Sequence, residues 1–316
     1  MKKYLILGGN GFLGKHITNS LLKDGNNEIV IADLNIENQI ESERITYKQI
    51  DFSNCTDFSD YLKGVDTVFH LISSLGPSEN MDNIQEDIKN DVFPTINLLN
   101  ELSKMEHTKL IFLSSGGTVY GEHENKPIKE TEEKNPICHY GVIKDLIEKY
   151  IKLYQKMFPH MKCRIIRLAN PYSIEVKKGQ KQGIIPIFID LALNDLPIKI
   201  WGDGEDVRDY IYIEDAINAI MKIEKYEGEE LVFNVGTGIG HSIHDILVMI
   251  RKALKKERTI VEYIPSRTCD VKCNVLDIEK LYEECGWVPE HDLATSIAKI
   301  VEQKKRARMK ENDNNE

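Results

Sequence analysis

The stretch HYGVIKDLIEKYIKLY, residues 139–154, sets Tyr140 four positions before Lys144 at the head of an amphipathic helical pattern. Residues four apart share one face of a helix, so a phenol and an ammonium at this spacing can act on one bound molecule. The ammonium is expected to stabilise the phenolate and lower the tyrosine toward working pH, making it a usable general base. Of the 13 tyrosines, Tyr140 alone has a lysine four residues on. A second group lies in LILGGNGFLG, where Gly8, Gly11 and Gly14 stand between a predicted strand and a predicted helix. That spacing allows a tight turn, a close backbone approach to a pyrophosphate, and packing of helix on strand. The next predicted strand ends at Asp33, nineteen residues after Gly14, where a carboxylate can accept hydrogen bonds from an adenosine ribose. Leu34 and Asn35 follow, without an arginine to neutralise a 2′-phosphate, which favours NAD over NADP. A later glycine cluster, VGTGIG, has no such acid at the expected distance and reads as a turn.

The elements that must position these residues are legible as an α/β alternation over the first 170 residues, the pattern of a parallel sheet with crossover helices. YLILGG, EIVIAD, TVFHLIS, KLIFLSS and CRIIRLAN are the candidate strands. Apolar spacings of three and four predict helices over residues 13–23, 91–105 and 141–157. In the last of these, Ile143, Ile147, Tyr150, Ile151, Tyr154 and Phe158 share one buried stripe. Beyond residue 170 the order loosens into a loop KKGQKQG, a helix, a strand PIKIWG and a return strand LVFNVG, as for a smaller second lobe. The expected division is a nucleotide-binding domain over 1–168, a substrate lobe over 169–302 and a frayed polar tail over 303–316, with the strand at 231–236 returning to the main sheet.

Composition bounds the partners. With 316 residues and 41% hydrophobic content, the chain can bury a large core or two smaller ones. A net charge of −10 without a basic stripe argues against nucleic acid and for a small molecule. The apolar runs are too short to span a membrane. Six cysteines without a C-x-x-C pair, and a first strand that begins at the N-terminus, read as reduced thiols in a cytoplasmic protein. His241 and His244 form an H-x-x-H pair without a nearby third ligand, so no metal site is expected.

Several motifs in order resemble the extended short-chain dehydrogenase/reductase family, and within it the nucleotide-sugar epimerases typified by UDP-glucose 4-epimerase. They are GGNGFLG, the acid at Asp33, DF at Asp51 and Phe52, HLISS from His70, SSGGTVYG from Ser114, YGVIK from Tyr140, RLANPYS from Arg167, IWGDGEDVRDYIYIED from Ile200 and R-T-C-D-V from Arg267. The resemblance covers about residues 3–300. It implies a Rossmann-type doubly wound parallel sheet with a smaller C-terminal α/β substrate-binding lobe. It implies NAD held by Gly8, Gly11, Phe12, Leu13, Gly14, Asp33, Leu71, Tyr140 and Lys144, with Asp51 and Phe52 flanking the adenine. Tyr140 would be the catalytic base and Lys144 would lower its pKa and hold the nicotinamide ribose. Asn170 would lie near the sugar phosphates, and Arg208 and Arg267 would pair with the diphosphate, for which a guanidinium fork is suited. The implied reaction is 4-epimerisation of a UDP-hexose through a transient 4-keto sugar. The implied assembly is a homodimer formed through the helices near 91–105 and 141–157.

Departures from the family pattern keep other readings open. Gly116 stands where the epimerases often keep a catalytic hydroxyl, so Thr118 or Ser115 must supply it. Gly117 and Thr118 replace the acid pair of the sugar 4,6-dehydratases, which argues against dehydration. Leu75 replaces a lysine frequent in galactose epimerases. Asn274, four residues after Asp270, replaces a tyrosine that limits the sugar pocket, which would admit an N-acetylated sugar. A one-way nucleotide-sugar 4-dehydrogenase or 4-keto reductase, on a GDP-sugar among others, is the second reading, and a non-catalytic NAD-binding regulator is the third.

Overall fold

The computed structural model describes residues 1–76, 83–123, 127–174, 183–267 and 269–313. All of the KKGQKQG loop except Gly183, and Thr268 of R-T-C-D-V, lie outside the described residues. The chain divides into two compact units by segments rather than at one boundary. Unit 1 holds Met1–Gly121, Glu130–Arg167 and Ile217–Phe233, and unit 2 holds Glu122–Lys129, Leu168–Ala216 and Asn234–Glu316.

Unit 1 is built on β1 (Lys3–Leu7), β2 (Glu28–Asp33), β3 (Ile45–Gln49), β4 (Thr67–His70), β5 (Lys109–Ser115) and β6 (Lys162–Leu168). In space the sheet runs β6, β5, β4, β1, β2, β3, with the strand Val232–Val235 beside β6 at the edge. The order reverses between β1 and β4, and β1 pairs in parallel with both β2 and β4. In such sheets ligands bind beyond the carboxyl ends of the strands, at the switch point. Leu5, Leu7, Val68, Leu110 and Phe112 are at most 1% exposed, and each such side chain contributes about 1.5–3 kcal/mol by leaving water.

The helices of unit 1 are α1 (Phe12–Lys23), α2 (Ser59–Leu62), α3 (Ile84–Asp87), α4 (Phe93–Leu102) and α5 (His139–Met157). A π turn over Ile88–Val92 joins α3 to α4. α1 buries Gly14, Ile17, Thr18 and Leu21, a stripe at spacings of three and four. α5 starts where the Cys138 sulfur accepts the Gly141 N–H at 3.4 Å. Its Ile143, Ile147 and Ile151 are fully buried, while Tyr150, Tyr154 and Phe158 pack half-buried against the same core, so the expected stripe is present.

In unit 2 the strand Val207–Tyr212 is central. Asn170–Tyr172 pairs with it in parallel, Cys273–Asn274 in parallel and Gly240–Ser242 antiparallel. Ile198–Trp201 pairs separately with Val261–Ile264. The helix Leu293–Asp313 continues through residues expected to fray. Its Lys304 ammonium is held by the Asp190 carboxylate at 2.7 and 2.8 Å, and the run from Glu302 to Arg308 is made of good helix formers. Among the described residues, no helix is long and apolar enough to cross a membrane.

Candidate active site

The glycine-rich turn links β1 to α1. Gly8 has φ +81°, a backbone state side chains rarely adopt, and a Cβ there would meet Ile72 N at 3.3 Å and Leu71 C at 3.4 Å. This places Leu71, just past β4, against the turn. A Cβ on Gly14 would lie 2.5 Å from Gly9 Cα and 2.6 Å from Gly8 O, so only glycine lets α1 pack this closely on the strand end. Gly11 caps α1, Phe12 and Leu13 begin it, and its first turn carries no acid. The free N–H groups and the helix dipole therefore favour an incoming phosphate. The Asp33 carboxylate accepts the Asn10 N–H at 2.9 Å and the Asn35 N–H at 3.2 Å, which leaves acceptor capacity for a ribose. These residues fit a dinucleotide.

Asp51 is exposed and accepts Ser53 Oγ at 2.6 Å and Asn54 Nδ2 at 2.8 Å, which holds its carboxyl below the usual range. The Phe52 ring is 5% exposed and packs on Phe58 and His70 at centroid distances of 5.6 and 5.0 Å, so the ring belongs to the core and only the backbone of this residue is left to border an adenine.

Tyr140, Lys144 and Ser115 come together at the carboxyl end of β5. The Ser115 hydroxyl and the Tyr140 phenol are hydrogen-bonded. Lys144 is 2% exposed, donates to Leu113 O at 3.1 Å and lies 4.9 Å from the Phe112 ring centroid and 5.6 Å from that of Tyr140. The two candidate hydroxyls differ in setting: Thr118 Oγ1 is buried with no hydrogen-bond partner among the described residues, whereas Ser115 is the hydroxyl on the phenol.

The expected lowering of Tyr140 is not found in the chain itself. Burial raises the phenol above its usual value; the Ser115 hydrogen bond opposes this, and the charges of Cys138 and Asp91 add to it. The ammonium sits over ring faces and under a carbonyl rather than at the phenol oxygen. Lys144 itself is lowered by burial to about 8, against the opposing pull of Asp91 and Glu148.

Beneath these groups lies a buried ionic network that spacing did not reveal. Glu148 accepts Ser114 Oγ at 2.6 Å, Arg167 Nε and Nη2 at 3.1 and 2.8 Å, and Lys134 Nζ at 2.8 Å. Arg167 also donates to Tyr120 Oη at 2.8 Å, and Lys134 pairs with Asp145. Burial pushes the Glu148 carboxyl up, but the two cations outweigh it and hold it down at about 2. Glu148 is four residues after Lys144, a spacing that could have pointed to it.

In unit 2, register places Asn274 opposite Arg208 and Asn170 opposite Tyr210. Asn170 Nδ2 donates to Asp209 O at 2.9 Å. Arg208 is half-buried; its Nη1 donates to Val207 O at 3.0 Å and its Nη2 is 3.9 Å from Asp206, a loose pairing. Asp209 points inward, fully buried, and accepts from Thr237 N and Oγ1 and from Gly238 N, so the VGTGIG turn is its cage. Arg267 is held by Asp270 at 3.0 and 3.3 Å and stacks on Trp201 at 5.1 Å. Asn274 is 0% exposed, so its side chain lines no open pocket and its size carries no argument about the sugar. His241 is the middle residue of the strand Gly240–Ser242, and His244 in the next helix bonds Asp203 O at 2.8 Å.

Residues 4–236 match the model of the NAD dependent epimerase/dehydratase family. A dTDP-4-dehydro-6-deoxyglucose reductase of Escherichia coli is 32% identical over 312 residues, covering 94% of this chain and 96% of that protein. A UDP-glucose 4-epimerase of Mycolicibacterium smegmatis is 29% identical over 306 residues, covering 94% and 97%. Among solved structures, the UDP-glucose 4-epimerase of Thermotoga maritima with UDP-glucose superposes with a TM-score of 0.88 at 27% identity, covering 96% of this chain and 99% of that one. With its seven-stranded sheet, glycine turn and paired tyrosine and lysine, the chain belongs to the NAD-dependent epimerase/dehydratase family.

Proposed function

We propose that the protein is an NAD-dependent 4-epimerase of a UDP-hexose, glucose/galactose or the N-acetylated pair. The observation that carries this reading is the Ser115–Tyr140 hydrogen bond beside a buried Lys144, at the strand ends where the glycine turn opens. Gly8, Gly11, Phe12, Leu13 and Gly14 hold the pyrophosphate, Asp33 the adenosine ribose, and Lys144 the nicotinamide ribose. Bound NAD supplies a hydride acceptor that returns the hydride to the same carbon. Ser115 orients the 4-hydroxyl of the sugar, and Tyr140 takes its proton as the 4-keto sugar forms and gives it back afterwards. Arg208, Arg267 and Asn170 hold the diphosphate and keep the reacting sugar in place.

We also read the protein as a cytoplasmic homodimer; the exposed Phe93 on α4 and Val142, Leu153 and Met157 on α5 support an apolar contact there. The 4-keto reductase is the second reading, favoured by the 32% identity to the E. coli reductase. In it Tyr140 only donates its proton and the product leaves. Proton NMR of the protein with UDP-glucose, UDP-N-acetylglucosamine or a GDP-hexose, without added NAD, separates the two. A new anomeric signal of a C4 epimer supports the epimerase. No change with any sugar, together with nicotinamide oxidation when a 4-keto sugar and NADH are supplied, replaces it with the reductase.

A further inference from the structure

The chain leaves the sheet after Asp33, and residues 34–44 form neither strand nor helix. Carbonyls in such a segment must find partners outside a ladder. Four of them are held by side chains. Gln49 Nε2, at the end of β3, donates to Leu34 O at 3.0 Å. Lys15 Nζ, on α1, donates to Asn38 O at 2.7 Å. Between these, Asn10 Nδ2 donates to Asn35 O at 2.8 Å and to Glu37 O at 2.6 Å. Glu37 N in turn donates to Asn35 Oδ1 at 2.8 Å, an Asx turn that shapes the same stretch.

The three anchors are unequal. The Gln49 and Lys15 contacts lie at the surface, where water competes for the same carbonyls. Asn10 is 8% exposed and stands inside the glycine turn, so its two hydrogen bonds are shielded. Its backbone N–H reaches the other way, to Asp33 Oδ2 at 2.9 Å, while Asp33 Oδ1 accepts the Asn35 N–H at 3.2 Å. A single residue of the turn therefore fixes both the carboxylate that ends β2 and the loop that follows it.

We propose that Asn10 is a positioning residue for the cofactor, a latch that sets the loop after β2, and with it the Asp33 carboxylate, before the adenosine half of NAD arrives. A loop already in place need not be ordered on binding, and that ordering would otherwise be subtracted from the affinity. The proposal rests on the reading of the glycine turn and Asp33 as the dinucleotide site.

The test is titration calorimetry of the full chain, freed of nucleotide, with NAD and separately with ADP-ribose, which carries the adenosine and pyrophosphate but no nicotinamide. Asn10→Ala and Asn10→Leu each remove the side-chain donors, keep the backbone N–H and add no charge, and either serves should the other not fold. NAD should bind about tenfold more weakly or worse, the scale of two lost hydrogen bonds, and ADP-ribose should weaken by the same factor. Hydrogen exchange in the nucleotide-free variants should speed up at the amides of residues 35–38 and stay unchanged over residues 17–23 of α1, whereas a general loss of structure would move both. Unchanged NAD affinity overturns the proposal, as does a loss seen with NAD but not with ADP-ribose, or a loss without faster exchange in the loop. Wild-type protein that binds neither ligand would instead remove the dinucleotide reading, and the proposal with it, so the two failures are told apart.

Discussion

Charge is handled in opposite ways in the two units. In unit 1 it is sealed: Glu148, Arg167 and Lys144 are each at most 2% exposed, and Glu148 and Arg167 meet in a two-point ion pair. In unit 2 Arg208 and Arg267 are half-buried, and each leans on a single nearby acid, Asp206 at 3.9 Å and Asp270 at 3.0 Å. A sealed network is costly to disturb and holds geometry. A half-open guanidinium loses little when it exchanges a surface acid for an incoming anion. On the proposed reading, the reacting groups are built into the core and the recognition groups are left free to change partner.

That contrast can be broken from either side. The largest effect is expected at the phenol, where Tyr140→Phe should lower kcat by about a thousandfold with the fold retained, the scale of general acid–base catalysis. Next is the sealed network, where Glu148→Ala leaves Arg167 buried without its anion and should cost about 3–5 kcal/mol in chemical denaturation. Its pH signature has a definite sign. The Glu148 carboxyl titrates at about 2 in the fold and at about 4.3 when unfolded. Its stabilisation is therefore complete above the unfolded value and is lost as pH falls toward 2, so Glu148→Gln should flatten acid unfolding over that window. In unit 2, Arg208→Ala or Arg267→Ala should raise KM about 10–100-fold at unchanged stability, the loss of a charge-assisted hydrogen bond. The smallest effect is expected at the unpartnered hydroxyl. Thr118→Val should leave kcat unaltered and stabilise by at most about 1 kcal/mol, because it removes a buried donor without a partner. Ser115→Ala, by contrast, should lower kcat by about a hundredfold.

Sequence periodicity was sufficient for the parallel sheet, α1 and α5, because hydrophobic spacing and the glycine turn are local signals. The same holds for Asp33 at the end of β2 and for Tyr140 with Lys144 on one helix face. Arg167 could not be linked to Glu148 that way, since the two meet only after β6 takes its place in the sheet. The burial of the Phe52 and Asn274 side chains was hidden for a related reason: a motif position does not tell whether the side chain turns inward. The helix to Asp313 was missed because its polar face is anchored by Lys304 on a residue far away in sequence, Asp190.

The most direct test of the central claim is to supply the UDP-hexose that is converted with deuterium at C4. Mass and proton spectra of the product then report where that atom goes. The account predicts a C4 epimer that keeps its deuterium in ordinary water, made without added NAD. Deuterium found in released NADH, with a 4-keto sugar accumulating instead of the epimer, would contradict it.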